Sequence, residues 1–213
     1  TVAIQPMEEL QLEITGFASL QSSLAMRSTA EPAQLAGALA PTGEGRVFGG
    51  QAMLRAQLPH GVFGWVSYTL SRAQRRAAPD QAWRLFDYDQ THVATAVAGW
   101  TSSFGLEVSG RFRYASGFPR TQVLGSYFDA ARDRYQPLFG KHNGIRLDAF
   151  YQLDLRVGYQ ARVHGTELLV YLEVQNVTNR KNVEEYIYSP DFSTRQTIQG
   201  LPILPVVGLT WNF

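Results

Sequence analysis

Along most of the chain, apolar and polar residues alternate with a period of two in segments of about ten residues, and no segment carries a convincing helical period. The clearest segment is 151–160. Tyr151, Leu153, Leu155, Val157 and Tyr159 point one way, and Gln152, Asp154, Arg156, Gly158 and Gln160 the other. After a short turn the pattern returns with Leu168, Val170, Leu172 and Val174 against Leu169, Tyr171, Glu173 and Gln175. It closes the chain with Ile203, Pro205, Val207, Leu209, Trp211 and Phe213 against Leu204, Val206, Gly208, Thr210 and Asn212. Earlier segments alternate with more noise, as in Leu106, Val108, Gly110, Phe112 and Tyr114 against Glu107, Ser109, Arg111 and Arg113. The pattern predicts eight strands, at about 10–26, 45–58, 61–76, 84–100, 103–118, 146–160, 166–178 and 202–213.

The connections alternate too. Those near Pro59-His60, Thr101-Ser102 and 161–165 are tight, while those at 27–44, 77–83, 119–145 and 179–201 are medium or long. A soluble sandwich has no reason to gather its short turns at one end. A transmembrane β-barrel of the bacterial outer membrane does, with short periplasmic turns, long outer loops and aromatic girdles about 25 Å apart. Tyr151 and Tyr159 bracket one apolar band, Trp100 and Phe104 flank a short turn, and Trp211 and Phe213 end the chain, as two girdles require. On the clearest strands the charges Arg111, Arg113, Asp154, Arg156 and Glu173 all lie on the polar face, where a barrel has its lumen. On the lipid face each would cost roughly 2–4 kcal/mol at the bilayer midplane.

Composition narrows the field. Among 213 residues there are 19 basic and 18 acidic ones, a formal charge of +1 and no cysteine. That excludes a disulfide framework and thiolate chemistry, and argues against nucleic acid as a partner. No run of about 18 apolar residues is present, so no transmembrane helix is expected. Thr1–Leu10 lacks the features of a secretory signal, which points to a piece of a longer chain.

Catalytic templates are absent: no G-x-S-x-G elbow, H-E-x-x-H, P-loop or dinucleotide turn occurs. Asp154 and Glu173 lie on neighbouring strands, but Arg156 beside them points to ion pairing rather than acid–base chemistry. Asp80, Asp87 and Asp89 lack the spacing and terminal Glu of a Ca²⁺ loop, and His60, His92, His142 and His164 lie far apart, so no metal or cofactor is expected. Asn176-Val177-Thr178 matches the N-glycosylation pattern but reads as a strand end entering an outer loop. Arg72, Arg75 and Arg76 sit where an outer loop begins, as solvated residues or as contacts for anionic lipopolysaccharide or an acidic ligand. Tyr127, Phe128, Tyr135 and Phe139 in the longest loop could grip a hydrophobic or chelate ligand, or pack the loop on itself. The lumen-facing Arg111, Arg113, Asp154, Arg156 and Glu173 could touch a substrate, or pair with one another.

The ordered motifs of residues 44–213 resemble one family. Leu153-Asp154-Leu155-Arg156-Val157, then Tyr171-Leu172-Glu173-Val174-Gln175-Asn176-Val177-Thr178-Asn179-Arg180, Tyr186-Ile187-Tyr188 and Gly200-Leu201-Pro202, closing in Trp211-Asn212-Phe213, resemble the end of a TonB-dependent outer-membrane receptor. Gly64-Trp65-Val66-Ser67-Tyr68, Phe86-Asp87-Tyr88-Asp89 and Arg113-Tyr114-Ala115-Ser116-Gly117-Phe118-Pro119 are similar to the same family. The resemblance implies a 22-stranded barrel around an N-terminal plug. It implies import of a scarce nutrient such as a ferric siderophore, energised by the TonB complex through an N-terminal region. This chain shows no plug and no TonB box, so it reads as the C-terminal eight strands of such a barrel. Val207, Leu209, Trp211 and Phe213 are similar to the signal read by the barrel assembly machinery. A self-standing eight-stranded outer-membrane barrel is the alternative, and it requires the first strand to pair with the last. A soluble periplasmic β enzyme is a third reading, without catalytic residues to support it.

Overall fold

The computed structural model describes residues 1–27, 39–163 and 165–212. The main sheet is an antiparallel meander. Its path runs through β1 (Val2–Met7), β2 (Leu10–Arg27), β3 (Leu39–Leu58), β4 (Val62–Arg76), β6 (His92–Thr101), β7 (Leu106–Ala115), β12 (Phe150–Val163), β13 (Thr166–Gln175) and β16 (Leu204–Asn212). A short β5 (Arg84–Leu85) pairs with β4 off this path. All eight expected strands are present, with three corrections. Val2–Met7 is a ninth strand, joined to β2 by a turn at Glu8-Glu9. The segment expected as one strand at 84–100 divides into β5 and β6. The long loops carry strands of their own: β8 (Pro119–Arg120) with β11 (Ile145–Arg146), the hairpin β9 (Val123–Asp129) and β10 (Arg134–Phe139), and the hairpin β14 (Val183–Tyr188) and β15 (Arg195–Gln199). Among the described residues β1 pairs only with β2 and β16 only with β13, so the sheet has two open edges rather than the closed seam of a small barrel.

The register lines the apolar residues into continuous rows across the sheet. One row runs Leu58, Val62, Trp100, Val108, Val157, Leu172, Val207. These side chains are exposed, and among the described residues the buried apolar side chains are Leu147 and Pro119, both in the loop layer. Strands this apolar on one face, with no core behind them, are built for a hydrocarbon solvent. From Tyr151 to Tyr159 the strand advances roughly 27 Å.

The turns between β1 and β2, β3 and β4, β6 and β7, and β12 and β13 are all short and all at one end. At that end Trp100 donates its indole N–H to the His60 carbonyl at 3.0 Å, and Trp211 donates to Thr166 Oγ1 at 2.8 Å. Each ring thus keeps its polar handle satisfied while its body lies in the apolar band.

The opposite face of the sheet carries three rings laid on glycines of the next strand. An added Cβ would lie 2.7 Å from the Phe17 ring at Gly49, 2.3 Å from Phe63 at Gly99 and 2.1 Å from Tyr171 at Gly208. The rings fill the space where a side chain is lacking and hold the pairing there.

Candidate functional site

The polar face of β7, β12 and β13 is built around Asp154, 3% exposed. Its register partner on β7 is Arg111, which donates Nε at 3.0 Å and Nη2 at 2.8 Å to Asp154 Oδ2. Arg113 Nη2 lies 3.6 Å from the same oxygen. The other oxygen accepts Gln152 Nε2 at 2.6 Å and the Asn176 backbone N–H at 2.9 Å. Every lone-pair direction of the carboxylate is therefore engaged within the wall. Glu173 stands at the margin, 3.9 Å from Arg111. The structure thus brings together four of the five residues expected to face the lumen and leaves one apart. Arg156 faces Glu173 in the register, yet its guanidinium lies over the Tyr171 ring at 3.8 Å. The expected partner of Asp154 is corrected accordingly: it is Arg111 and not Arg156, because Tyr171 lies down on Gly208 and offers Arg156 its face.

Asn176, expected only as a strand end, is 2% exposed with φ +50°. Its amide donates to the carbonyls of Arg180 and Leu201, both at 3.0 Å, and accepts from the Arg180 N–H. A side chain so enclosed is a turn cap and is closed to glycosylation. Asn182 likewise completes the backbone pairing of Tyr151, accepting its N–H and donating to its carbonyl at 3.1 Å.

At the long-loop end, three loops are tied into one layer. Asp89, 1% exposed, accepts the Ala73 N–H at 2.5 Å, the Thr91 hydroxyl at 3.0 Å and the guanidinium of Arg146. Arg146 also donates to the carbonyls of Asp89 and Gly117. Asn143 bridges to Asp87 Oδ1 at 2.7 Å and to the Leu85 carbonyl at 2.8 Å. Arg120 grips Glu185 with three hydrogen bonds of 2.7–2.9 Å. The Ser126 hydroxyl donates to the Asp191 carbonyl at 2.6 Å. Asp89 and Asp87, weighed above as cation ligands, are engaged in tying these loops together. Sequence reasoning missed Arg146, Asn143, Arg120 and Glu185. Their partners lie 55–65 residues away, so no local pattern marks them.

The layer has a built-in pH response. The Arg120 hydrogen bonds hold the Glu185 carboxyl below its usual range. A depressed carboxyl contributes stability that is complete above its unfolded pKa, about 4.3, and is lost as the pH falls through the lower folded value. Hydrogen-exchange protection of the β14–β15 hairpin is expected to hold at pH 7 and drop below about pH 4. Glu185→Gln is expected to lower protection at pH 7 and flatten that dependence. Asp191, held at about 2 by the Ser189 and Ser193 contacts, keeps the hairpin tip closed over the same range.

The expected ligand-gripping aromatics all stand on the β9–β10 hairpin. Tyr127, Phe128, Tyr135 and Phe139 are 54%, 50%, 44% and 62% exposed. Phe128 and Tyr135 meet edge to face at 5.2 Å, leaving Tyr127 and Phe139 more open. Arg72, Arg75 and Arg76 stand at the end of β4, where the outer loop begins as expected; Arg75 lies over the Phe86 ring at 3.7 Å and Arg76 binds Glu44. Val207, Leu209 and Trp211 share the outward face of β16, opposite Leu172, Val170 and Leu168. Phe213 and His164, named above with the closing motif and the histidines, lie outside the described residues.

No helix among the described residues is long and apolar enough to cross a membrane, which says nothing of a barrel. No family model matches the chain, and no curated relative does. Its fold does match solved structures. It is similar to the ferric-catecholate import receptor Fiu of E. coli over 97% of its own length, with a TM-score of 0.63 and 18% identity. It is similar to FpvA of P. aeruginosa, solved with bound pyoverdines, over 96%, with a TM-score of 0.63 and 15% identity. A third likeness is to the ferric yersiniabactin uptake receptor FyuA of Yersinia pestis, over 97%, with a TM-score of 0.62 and 13% identity. The chain spans 26%, 25% and 28% of those proteins respectively, about a quarter of each. The fold is that of a stretch of the β-barrel wall of TonB-dependent outer-membrane receptors, as the resemblance in the sequence implied.

Proposed function

We propose that this chain is the C-terminal barrel portion of a TonB-dependent outer-membrane receptor of a Gram-negative bacterium, importing a scarce nutrient such as a ferric siderophore. One observation carries the reading: an open nine-strand meander with lipid-suited outward rows, matching about a quarter of iron-import receptors over 96–97% of its own length at a TM-score of 0.63. In that role the chain is no enzyme. It contributes wall, part of the lumen surface and outer loops. The TonB complex would act through a region outside this chain, and Val207, Leu209, Trp211 and Phe213 would serve the barrel assembly machinery.

The Asp154 carboxylate is fully engaged within the wall, so ligand contact falls to the outer layer, where Tyr127 and Phe139 present open aromatic surface on the β9–β10 hairpin. The test is uptake of radioactive ferric chelates by cells with and without the gene, with and without a protonophore. Energy-dependent uptake lost on deletion is expected. The double substitution Tyr127→Ala and Phe139→Ala is expected to weaken chelate binding about fivefold or more. Unchanged uptake across a panel of iron chelates, cobalamin and glycans would overturn the reading.

A further inference from the structure

The outward face of β2, β3 and β4 turns from apolar to cationic within a few residues of the long-loop end. Successive outward sets in the register are Ile14, Ala52 and Tyr68; Gly16, Gly50 and Leu70; Ala18, Phe48 and Arg72; Leu20, Arg46 and Gln74; then Glu44 and Arg76. The second set forms a furrow. A Cβ added at Gly16 would meet nothing within 4 Å, and one at Gly50 only the Thr15 carbonyl at 3.7 Å. Phe48 and Leu70 border this bare backbone and are themselves about half exposed, at 47% and 48%.

Directly beyond it stand Arg72, Arg46 and Arg76, against a single carboxylate on this face among the described residues, Glu44. Arg76 binds Glu44 through Nε at 2.7 Å. Arg46 bonds only the neutral Gln74 amide, at 2.9 Å, and Arg72 is exposed with no ion-pair or hydrogen-bond partner among the described residues. The guanidinium groups of Arg46 and Arg76 both lie over the Trp83 ring, at 4.3 and 4.7 Å, so the ring holds both in place while only Arg76 has a carboxylate partner, Glu44. Arg72 and Arg76 are four residues apart on one strand, about 13 Å.

We propose that this surface binds a diphosphorylated, acylated glycolipid of the outer leaflet, the chemistry of lipopolysaccharide. An acyl chain occupies the Gly16–Gly50 furrow against Phe48 and Leu70, and the phosphates sit on Arg72 and Arg46, beside Arg76, whose guanidinium is taken up by Glu44 and the Pro79 carbonyl. The guanidinium fork matches phosphate oxygens. Two cations without a carboxylate partner among the described residues, Arg46 and Arg72, suit a headgroup with two phosphates better than one with a single phosphate. The site rests on the reading that the chain spans the outer membrane with its long loops outward.

The test uses the full-length protein extracted from outer membranes in dodecyl maltoside. It is exchanged into micelles holding diphosphoryl lipid A, dephosphorylated lipid A or phosphatidylglycerol, and retained lipid is counted by native mass spectrometry. Diphosphoryl lipid A is expected to be retained at least tenfold over the other two. Arg46→Gln with Arg72→Gln is expected to remove that preference while the heat-dependent gel shift of the barrel is unchanged. Gly50→Leu, which fills the furrow and leaves every charge, is expected to weaken retention as well. Equal retention of the three lipids, or retention untouched by these variants, would overturn the proposal while leaving the receptor reading intact. A full-length protein that does not fractionate with outer membranes would instead overturn the receptor reading.

Discussion

Replacing Asp154 by alanine is expected to destabilise the barrel by about 3 kcal/mol, measured by urea unfolding of the full-length protein in detergent. The magnitude follows from what the carboxylate satisfies. The Asn176 N–H, buried beside it at 2.9 Å, is left without an acceptor, which costs about 1–3 kcal/mol. Arg111 and Arg113 lose their counter-charge, but their side chains are 42% and 39% exposed and can turn to water. That part is therefore discounted to about 1 kcal/mol. Asp154→Asn keeps an acceptor for Asn176 and is expected to lose about half as much. Glu173→Gln, at 3.9 Å from Arg111, is expected to stay below about 0.5 kcal/mol. An Asp154→Ala barrel as stable as the parent would mean that the cluster contributes nothing to the wall.

The second large effect lies in a short turn. Gly105 has φ +96°, and a Cβ there would stand 2.2 Å from the carbonyl oxygen of Gln160, in the strand that pairs beside it. The Gln160 N–H donates to the Gly105 carbonyl at 2.8 Å, so the two backbones cannot part without losing that bond. Gly105→Ala is expected to cost about 2–3 kcal/mol, combining left-handed strain with the displaced hydrogen bond. Gly165, with φ +85°, has nothing within 4 Å of an added Cβ. Gly165→Ala is expected to cost only the strain, about 1 kcal/mol. Equal losses in the two variants, in the same unfolding assay, would show that crowding by β12 plays no part.

How much of this was legible in the sequence depended on the range of the interaction. Strands such as Phe150–Val163 were readable because a membrane barrel repeats one rule, apolar out and polar in, at every second residue. Val2–Met7 escaped because Pro6 demotes so short a run and its alternation is poor. The segment 84–100 was misread as continuous because its β pattern resumes after the break. The break is made by Asp89, whose carboxylate takes the Ala73 N–H from across the sheet.

Arg111, Arg113, Asp154 and Glu173 were placed on one face by parity alone, and the register then brought them together. The partner of Asp154 was not legible, because the choice between Arg111 and Arg156 depends on a ring lying on Gly208 two strands away. The loop hairpins and the ties Asp89–Arg146 and Arg120–Glu185 left no local trace, since each joins segments that only the folded sheet makes neighbours.

The central claim is that these strands belong to a large receptor barrel. It is tested most directly by blotting outer membranes of the source organism with antibody to this chain, comparing unheated and boiled samples. The account predicts a band several times larger than 23.8 kDa whose mobility shifts on boiling. A heat-shifting band near 23.8 kDa, or recovery in the soluble fraction without detergent, would contradict it.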